Sequence, residues 1–405
     1  MATGIFNASL AHEARATSKT GGLSFASMIT RLMPNGQAPL FGLTSMLKTE
    51  TATQVEHGFF SKTMIFPSAT INAVGGYAAG VTTFTADSTA NILPGMILQS
   101  ALLENILVLT VPSATAFTVQ RGIGTVAATT LADNEVLFQV GNASEEGSVK
   151  PTALRIDAVR LTNLTQIFRN TWSLTGTVQA TDVLVGDSHL AENKQDCAAF
   201  HAADIEKALF FGQKGETTLN GQPLRFMDGL ISIITANAAG NIHTAGATTN
   251  FTQLEGFLDP VFDQTTDPKS ANERLLFCGS KALSVINNIG RLNGTYQLVD
   301  GQTSWGLQFK TFKTTRGTFQ LIEHPLFNSN TTWAAMAVAV DLVTFNVAYL
   351  AGRKTINKEF NANGGEAGDN ATDASYGTLT TELTCLVKNA AANAVIKGLT
   401  AGAAG

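Results

Sequence analysis

Cys197 and His201 stand four residues apart in DCAAFHAADIEKALFFG, a spacing that could place two ligands on one metal ion. Both fall on the apolar stripe of the helix that this segment predicts, and nothing nearby completes a tetrahedral set. A buried, hydrogen-bonded pair is the expected state, and no metal or other cofactor is expected. A second pattern, Gly122-Ile-Gly-Thr-Val-Ala127, has the G-x-G-x-x-A form of a dinucleotide-binding turn and follows the strand-like FTVQR. A pyrophosphate cradle needs a helix opening at that turn. Here residues 128–134 are short and lead into another strand-like run at Val136, so a β-turn is expected. HExxH, GxSxG, CxxC and GxxxxGK[ST] occur nowhere. His12, His57, His189, His243 and His324 are dispersed, which assembles no Ser/His/Asp group. Glu145–Glu146 and Asp204–Glu206 are adjacent or two apart, positions that do not face each other on a helix, and are expected to be solvated or interface charges. No catalytic residue is assigned, and the chain is not expected to be an enzyme.

One local cationic stretch remains, Lys150, Arg155, Arg160 and Arg169, spaced along strand-like sequence. It lacks the interleaved aromatics of a nucleic-acid surface, so salt bridges between subunits are preferred to phosphate contacts. With Glu145 and Glu146 these four residues are candidate inter-subunit contacts.

The elements that must position these residues follow from periodicity. Residues 1–53 are rich in Ser, Thr, Gly and Ala, with one short helical pattern, Phe25, Met28, Ile29 and Leu32, stopped by Pro34. Such an arm must pack on the body or on a neighbouring copy to be ordered, which makes Phe25 and Met28 candidate inter-subunit contacts as well. Short β-like runs at 81–86, 106–111, 116–121 and 136–140 lie between turn-rich flanks, as expected for a small all-β unit inserted into a loop. Alternation over 171–180 predicts a half-buried strand. Residues 188–211 read as one long helix between an Asp187 or Ser188 N-cap and Gly212. A helix around 254–262 should bend at Pro260, and one from Ser280 should stop at Gly290. Strand-like runs at 307–313, 318–322 and 336–350 follow, then a long alternating strand over 378–388. The body is α+β.

Composition sets the outer limits. Of 405 residues, 44% are apolar and only 14% charged, which argues against disorder and for much mutually covered surface. A net charge of −5 leaves no global basic excess for nucleic acid or an anionic membrane. Three widely spaced cysteines exclude a dense disulfide framework. No signal peptide is read at the N-terminus. Pro94, Glu104 and Asp341 interrupt the two most apolar stretches, so no membrane span is expected.

The order of elements, together with particular segments, resembles the major capsid proteins of tailed bacteriophages, which have the Hong Kong 97 fold. RLTNLTQIFRNTWSLTGT at 160–177 looks like the returning strand of that family's extended loop, and AAFHAADIEKALFFGQKG at 198–215 like the end of its spine helix. RFMDGLISII at 225–234 looks like the entry to its axial domain. WGLQFKTFKTTRGTFQLIEHPLF at 305–327 and YGTLTTELTCLVKNAAANAVIKGL at 376–399 are similar to its closing strands, and FTVQRGIGTVAATTLADNEVLF at 117–138 to a β insertion found in some members.

The resemblance implies an arm over 1–53, an extended loop over 54–67 and 143–181, and a β-rich insertion over 68–142. It further implies a peripheral domain with the spine helix over 182–230, an axial domain over 231–335, peripheral closing strands over 336–390 and an axial tail over 391–405. Also implied are hexamers and pentamers of one icosahedral shell around double-stranded DNA held without sequence specificity. The expected partners are further copies of the chain, a separate scaffolding protein, a portal and decoration or cement proteins, with the chain located in the virion and no membrane involved. No coiled-coil segment is read ahead of the arm, which is why scaffolding is expected from a separate protein, and no covalent cross-link is expected. Another self-assembling tail or fibre component is the alternative, disfavoured by the long central helix.

Overall fold

The computed structural model describes residues 38–46, 49–62, 66–150, 157–181, 188–246, 248–263, 273–292, 299–300, 310–360 and 374–402. The arm residues Phe25 and Met28, and Arg155, lie outside the described residues. Two compact units emerge, one formed by residues up to Phe59 with those from Thr162 onward, the other by Phe60–Leu161. No helix among the described residues is long and apolar enough to cross a membrane.

The first unit is organised around the strand Ala374–Val387, the longest of those described. Gln166–Thr175 runs antiparallel along one side of it, from Thr175 opposite Ala374 to Gln166 opposite Leu383. The other side is shared by Ile356–Phe360, paired over Tyr376–Thr380, and Phe345–Leu350, paired over Leu383–Val387. Glu50–Ala52 adds a parallel edge strand on Phe345–Leu350. The strand expected over 171–180 is corrected here. It starts earlier, at Gln166, and ends at Thr175, opposite Ala374, and Gly176–Ala180 forms one helical turn.

One face of this sheet carries the long helix, His189–Phe211. Ser188 caps it by accepting the Ala191 N–H, and at its other end the Gly212 N–H donates to the Ala208 carbonyl. Gly212 is required at this stop, because a Cβ there would come within 2.6 Å of the Ala208 and Met227 carbonyl oxygens. Beneath the helix Trp172 lies flat on Gly377, the residue directly opposite it, where any larger residue would overlap the indole.

A second sheet orders Ile242–Thr244, Ala394–Lys397, Ala337–Val340, Glu273–Cys278, Thr318–Glu323, Lys310–Lys313 and Val299–Asp300. From Arg274 to Cys278 this strand is buried on both faces, which explains its apolar run LLFC. Strand parity then assigns its residues to two cores. Leu275 and Phe277 join Ile205, Leu209, Phe210, Val338 and Val340. Leu276 and Cys278 join Ile286, Ile289, Phe319 and Ala339 under the helices Phe251–Leu258 and Ser280–Leu292.

Three further expectations are corrected. The segment around Pro260 does not bend within one helix; Phe251–Leu258 ends and a 3-10 turn, Asp259–Phe262, takes over with the proline in its first turn. The Ser280 helix continues past Gly290 to Leu292, since an interior glycine costs only ~1 kcal/mol while Ile286 and Ile289 remain buried. Residues 336–350 form two strands, because Asp341 accepts the Val343 N–H at 3.1 Å and turns the chain between them.

The second unit contains one antiparallel sheet in the order Ser68–Thr70, Val136–Asn142, Met96–Gln99, Asn105–Thr110, Ala116–Gln120, Thr83–Thr85. An Ile71–Ala86 bridge joins the first and last strands, so the sheet closes on itself and its edges are protected. Ala69, Phe84, Leu98, Ile106, Val108, Phe117, Val119 and Leu137 fill the interior.

Candidate assembly surfaces

Glu206 is fully buried on the long helix, which corrects its expected place among solvated or interface charges. Its Oε1 accepts the Leu40 N–H at 2.9 Å and its Oε2 the Phe41 N–H at 2.7 Å. These are the orphan donors at the start of the helix Pro39–Met46, where proline at the first position gives up no hydrogen bond. His324 Nε2 lies 2.7 Å from the same Oε1, and the ring stacks on Phe327 with centroids 4.3 Å apart. One side chain thus fixes the segment that follows residue 37 to the body, across 166 residues of sequence. Asp204, on a different face of the helix, is partly exposed and bonds the Asn170 amide at 3.2 Å.

The ring nitrogens of His201 are both engaged, Nδ1 with Asn170 Oδ1 at 2.7 Å and Nε2 with Thr381 Oγ1 at 2.8 Å. Burial holds its pKa below the ordinary value, opposed by the charge of Asp204. Cys197, Cys278 and Cys385 are free thiols, all buried. Burial pushes Cys385 up to about 12, with Asp228 adding to the effect. Burial raises all three, which makes them poor nucleophiles at neutral pH.

At the G-x-G-x-x-A turn the backbone takes positive φ at Gly122 and Gly124, and the anion it meets is a carboxylate of the same unit. Fully buried Glu104 accepts from Arg121 Nε at 2.6 Å and Nη2 at 2.7 Å, from the Gly122 N–H at 3.1 Å and from the Thr129 N–H at 2.9 Å. Burial pushes its pKa up, but Arg121 and the two backbone donors outweigh burial and leave it at about 2. In the sequence Glu104 reads only as a break in an apolar run. The signal that could have found it was an isolated acid in a β-like stretch with an arginine ahead of two glycines.

The surface residues separate. Glu145, Glu146 and Lys150 are exposed beside the tight turn at Gly147. Arg160 and Arg169 are exposed on Val159–Leu164 and Gln166–Thr175. Lys150 and Arg160 belong to one compact unit and Arg169 to the other. Arg169 is instead gathered with Arg353 and Lys358, two cations that sequence reasoning missed because they lie almost two hundred residues away and meet only through strand register.

Two apolar surfaces were also missed. The hairpin Gly215–Leu219 with Gln222–Phe226, closed by positive-φ Asn220 and Gly221, exposes Leu219, Leu224 and Phe226 on one face and a Glu216–Arg225 ion pair on the other. The outside of the closed sheet exposes Leu109, Phe138 and Val140.

The family model described as SU10 major capsid protein matches residues 4–400. The major capsid protein of Pseudomonas phage PaMx41 is 36% identical over 391 residues, covering 93% of this chain and 92% of that protein. Among solved structures, one from Mycobacterium phage Cain is similar at 11% identity and a TM-score of 0.48, covering 97% of this chain and 99% of that one. The capsid of a native GTA particle is similar at 10% identity and a TM-score of 0.48, covering 96% and 99%. The match across nearly the whole sequence, carried at the level of identity found with the Pseudomonas phage protein, places the chain in the SU10 major capsid protein family, as a structural subunit of a phage capsid.

Proposed function

We propose that the chain builds a closed icosahedral shell of hexamers and pentamers around double-stranded DNA, with the subunit arranged as in the Hong Kong 97 fold. The family match over 4–400 carries this reading. In it, residues 1–53 are the arm, 54–67 and 143–181 the extended loop, and 68–142 a β-rich insertion. Residues 182–230 and 336–390 make the peripheral domain, and 231–335 with 391–405 the axial domain. The role is structural, and the chain performs no catalytic step. Low charge and uncovered apolar faces suit a subunit whose contacts gain stability from area more than from buried ion pairs. Scaffolding, portal and decoration proteins are the further partners of the reading, and contacts to DNA are sparse and independent of sequence.

Expression of the full chain with the neighbouring head-assembly genes, followed by sedimentation and negative-stain microscopy, tests the reading. Closed particles of uniform size are expected. Tubes or fibres would instead favour a tail component, and stable monomers would sink the assembly reading. The arm is tested by deleting residues 2–37, which spares the helix Pro39–Met46 held by Glu206 and should abolish shells while leaving a folded body. Normal shells from that deletion would remove the arm from the account.

A further inference from the structure

On the sheet face turned away from the long helix, strand register lines up three rows. Ile167 stands opposite Glu382, Arg169 opposite Thr380 and then Ile356, and Thr171 opposite Thr378 and then Lys358. Residues paired in this way share a face. All of these except Thr171 and Glu382 border, together with Arg353, a groove of about 290 Å³ with no aromatic side chain in its lining. Arg353 is already engaged, 2.6 Å from Glu382, whose other oxygen accepts the Thr165 hydroxyl at 2.8 Å. Arg169 and Lys358 have no anionic partner among the described residues. In a chain of net charge −5, two such cations flanking two threonine hydroxyls make a local inversion of charge.

The complementary feature lies in the other unit. A tight turn closed by the Ser148 N–H on the Glu145 carbonyl at 3.1 Å, with Gly147 at φ 75°, presents Glu145 and Glu146 side by side. Both are exposed, and neither has a cationic partner among the described residues.

We propose that this groove receives the Glu145–Glu146 turn of a second copy of the chain. The proposal rests on the reading of the chain as a shell subunit. Two unpaired carboxylates on one turn meet two unpaired cations in one groove, and Ile167 and Ile356 supply apolar walls for the glutamate methylenes. Arg169 and Lys358 flank the central strand two strand spacings apart and one row out of step, roughly 12 Å, a span that two diverging neighbouring glutamates reach. A phosphate backbone is the competing anion. The lack of a stacking surface disfavours it, and every copy brings its own acidic turn at the local concentration of the assembly.

Charge exchange in the full chain tests the match. Arg169→Glu with Lys358→Glu, and separately Glu145→Lys with Glu146→Lys, should each lower the yield of closed shells by about tenfold or more, since tenfold corresponds to about 1.4 kcal/mol. Both pairs combined should restore most of that yield. Unchanged circular dichroism and melting of the unassembled subunits separate lost docking from lost folding. Normal shell yield from either reversed pair, or no recovery in the combination, would overturn the proposal while leaving the shell reading intact. Shells that assemble normally from Arg169→Glu with Lys358→Glu but retain less DNA would assign the groove to phosphate and equally overturn it. Failure of the unaltered chain to form shells would instead sink the reading beneath it.

Discussion

Two buried carboxylates, one in each unit, are stabilised in different ways. Glu104 faces a guanidinium and the backbone N–H groups of Gly122 and Thr129, all within 25 residues of sequence. Glu206 meets no guanidinium among the described residues; it binds two helix-start N–H groups and an imidazole brought from 118 to 166 residues away. The first arrangement closes a local turn and holds its own sheet together. The second ties a distant chain segment to the body, so its loss should be felt where that segment docks. A buried acid acts locally or globally according to where its donors come from, and its own depth does not decide which.

The sharpest way to break this comparison is Arg121→Ala, which leaves Glu104 buried without its cation and should cost about 3–5 kcal/mol. Hydrogen exchange should rise throughout Phe60–Leu161, while fluorescence melting reported by the tryptophans, none of which lies in that unit, stays near its original midpoint. Equal loosening of both units would contradict the division. Glu206→Ala should come next at about 3 kcal/mol, from unpaired buried donors at Leu40, Phe41 and His324. Exchange at Leu40 and Phe41 should increase first. Protection retained there would remove Glu206 as the anchor.

Acid sharpens the contrast. His201 has a lowered folded pKa, so the stability it lends is complete above its ordinary value of 6.5 and is lost as pH falls toward the folded value. Glu104, lowered from 4.5 to about 2, lends stability that is complete above 4.5 and drains between those two values. Tryptophan-detected melting should therefore begin to decline below 6.5 in the wild type. In His201→Ala, about 1–2 kcal/mol less stable from its two lost hydrogen bonds, that first decline should be smaller. An identical pH profile in the variant would exclude His201 as its source. The smallest effect is expected from Lys194→Ala. Its ion pair with Glu359 at 2.9 Å and its position 4.7 Å from the Trp172 ring are partly exposed, so about 1 kcal/mol or less should be lost.

Local patterns that were legible in the sequence are the ones governed by near neighbours. The long helix follows from its apolar spacing between Ser188 and Gly212, and the strand Ala374–Val387 from alternation beginning near Thr378. Where a boundary depends on a distant partner, local periodicity does not give it. The strand that includes Thr175 starts at Gln166 and is set by pairing with Ala374–Leu383, a partner that nothing in residues 171–180 encodes. The assembly surfaces divide in the same way. Glu145, Glu146, Lys150, Arg160 and Arg169 read as charges in polar, turn-rich or strand-like sequence and are exposed in the fold. Arg353 and Lys358 joined Arg169 only through register across the central strand, and Glu206 looked like any helical glutamate until its three donors arrived from elsewhere.

Cryo-electron microscopy of the particles formed by the full chain with its neighbouring head genes tests the central claim most directly. The account predicts closed icosahedral shells whose capsomers are hexamers and pentamers of this subunit, with the helix Pro39–Met46 seated on Glu206 in each copy. Open tubes, fibres or a map containing only isolated subunits would contradict it.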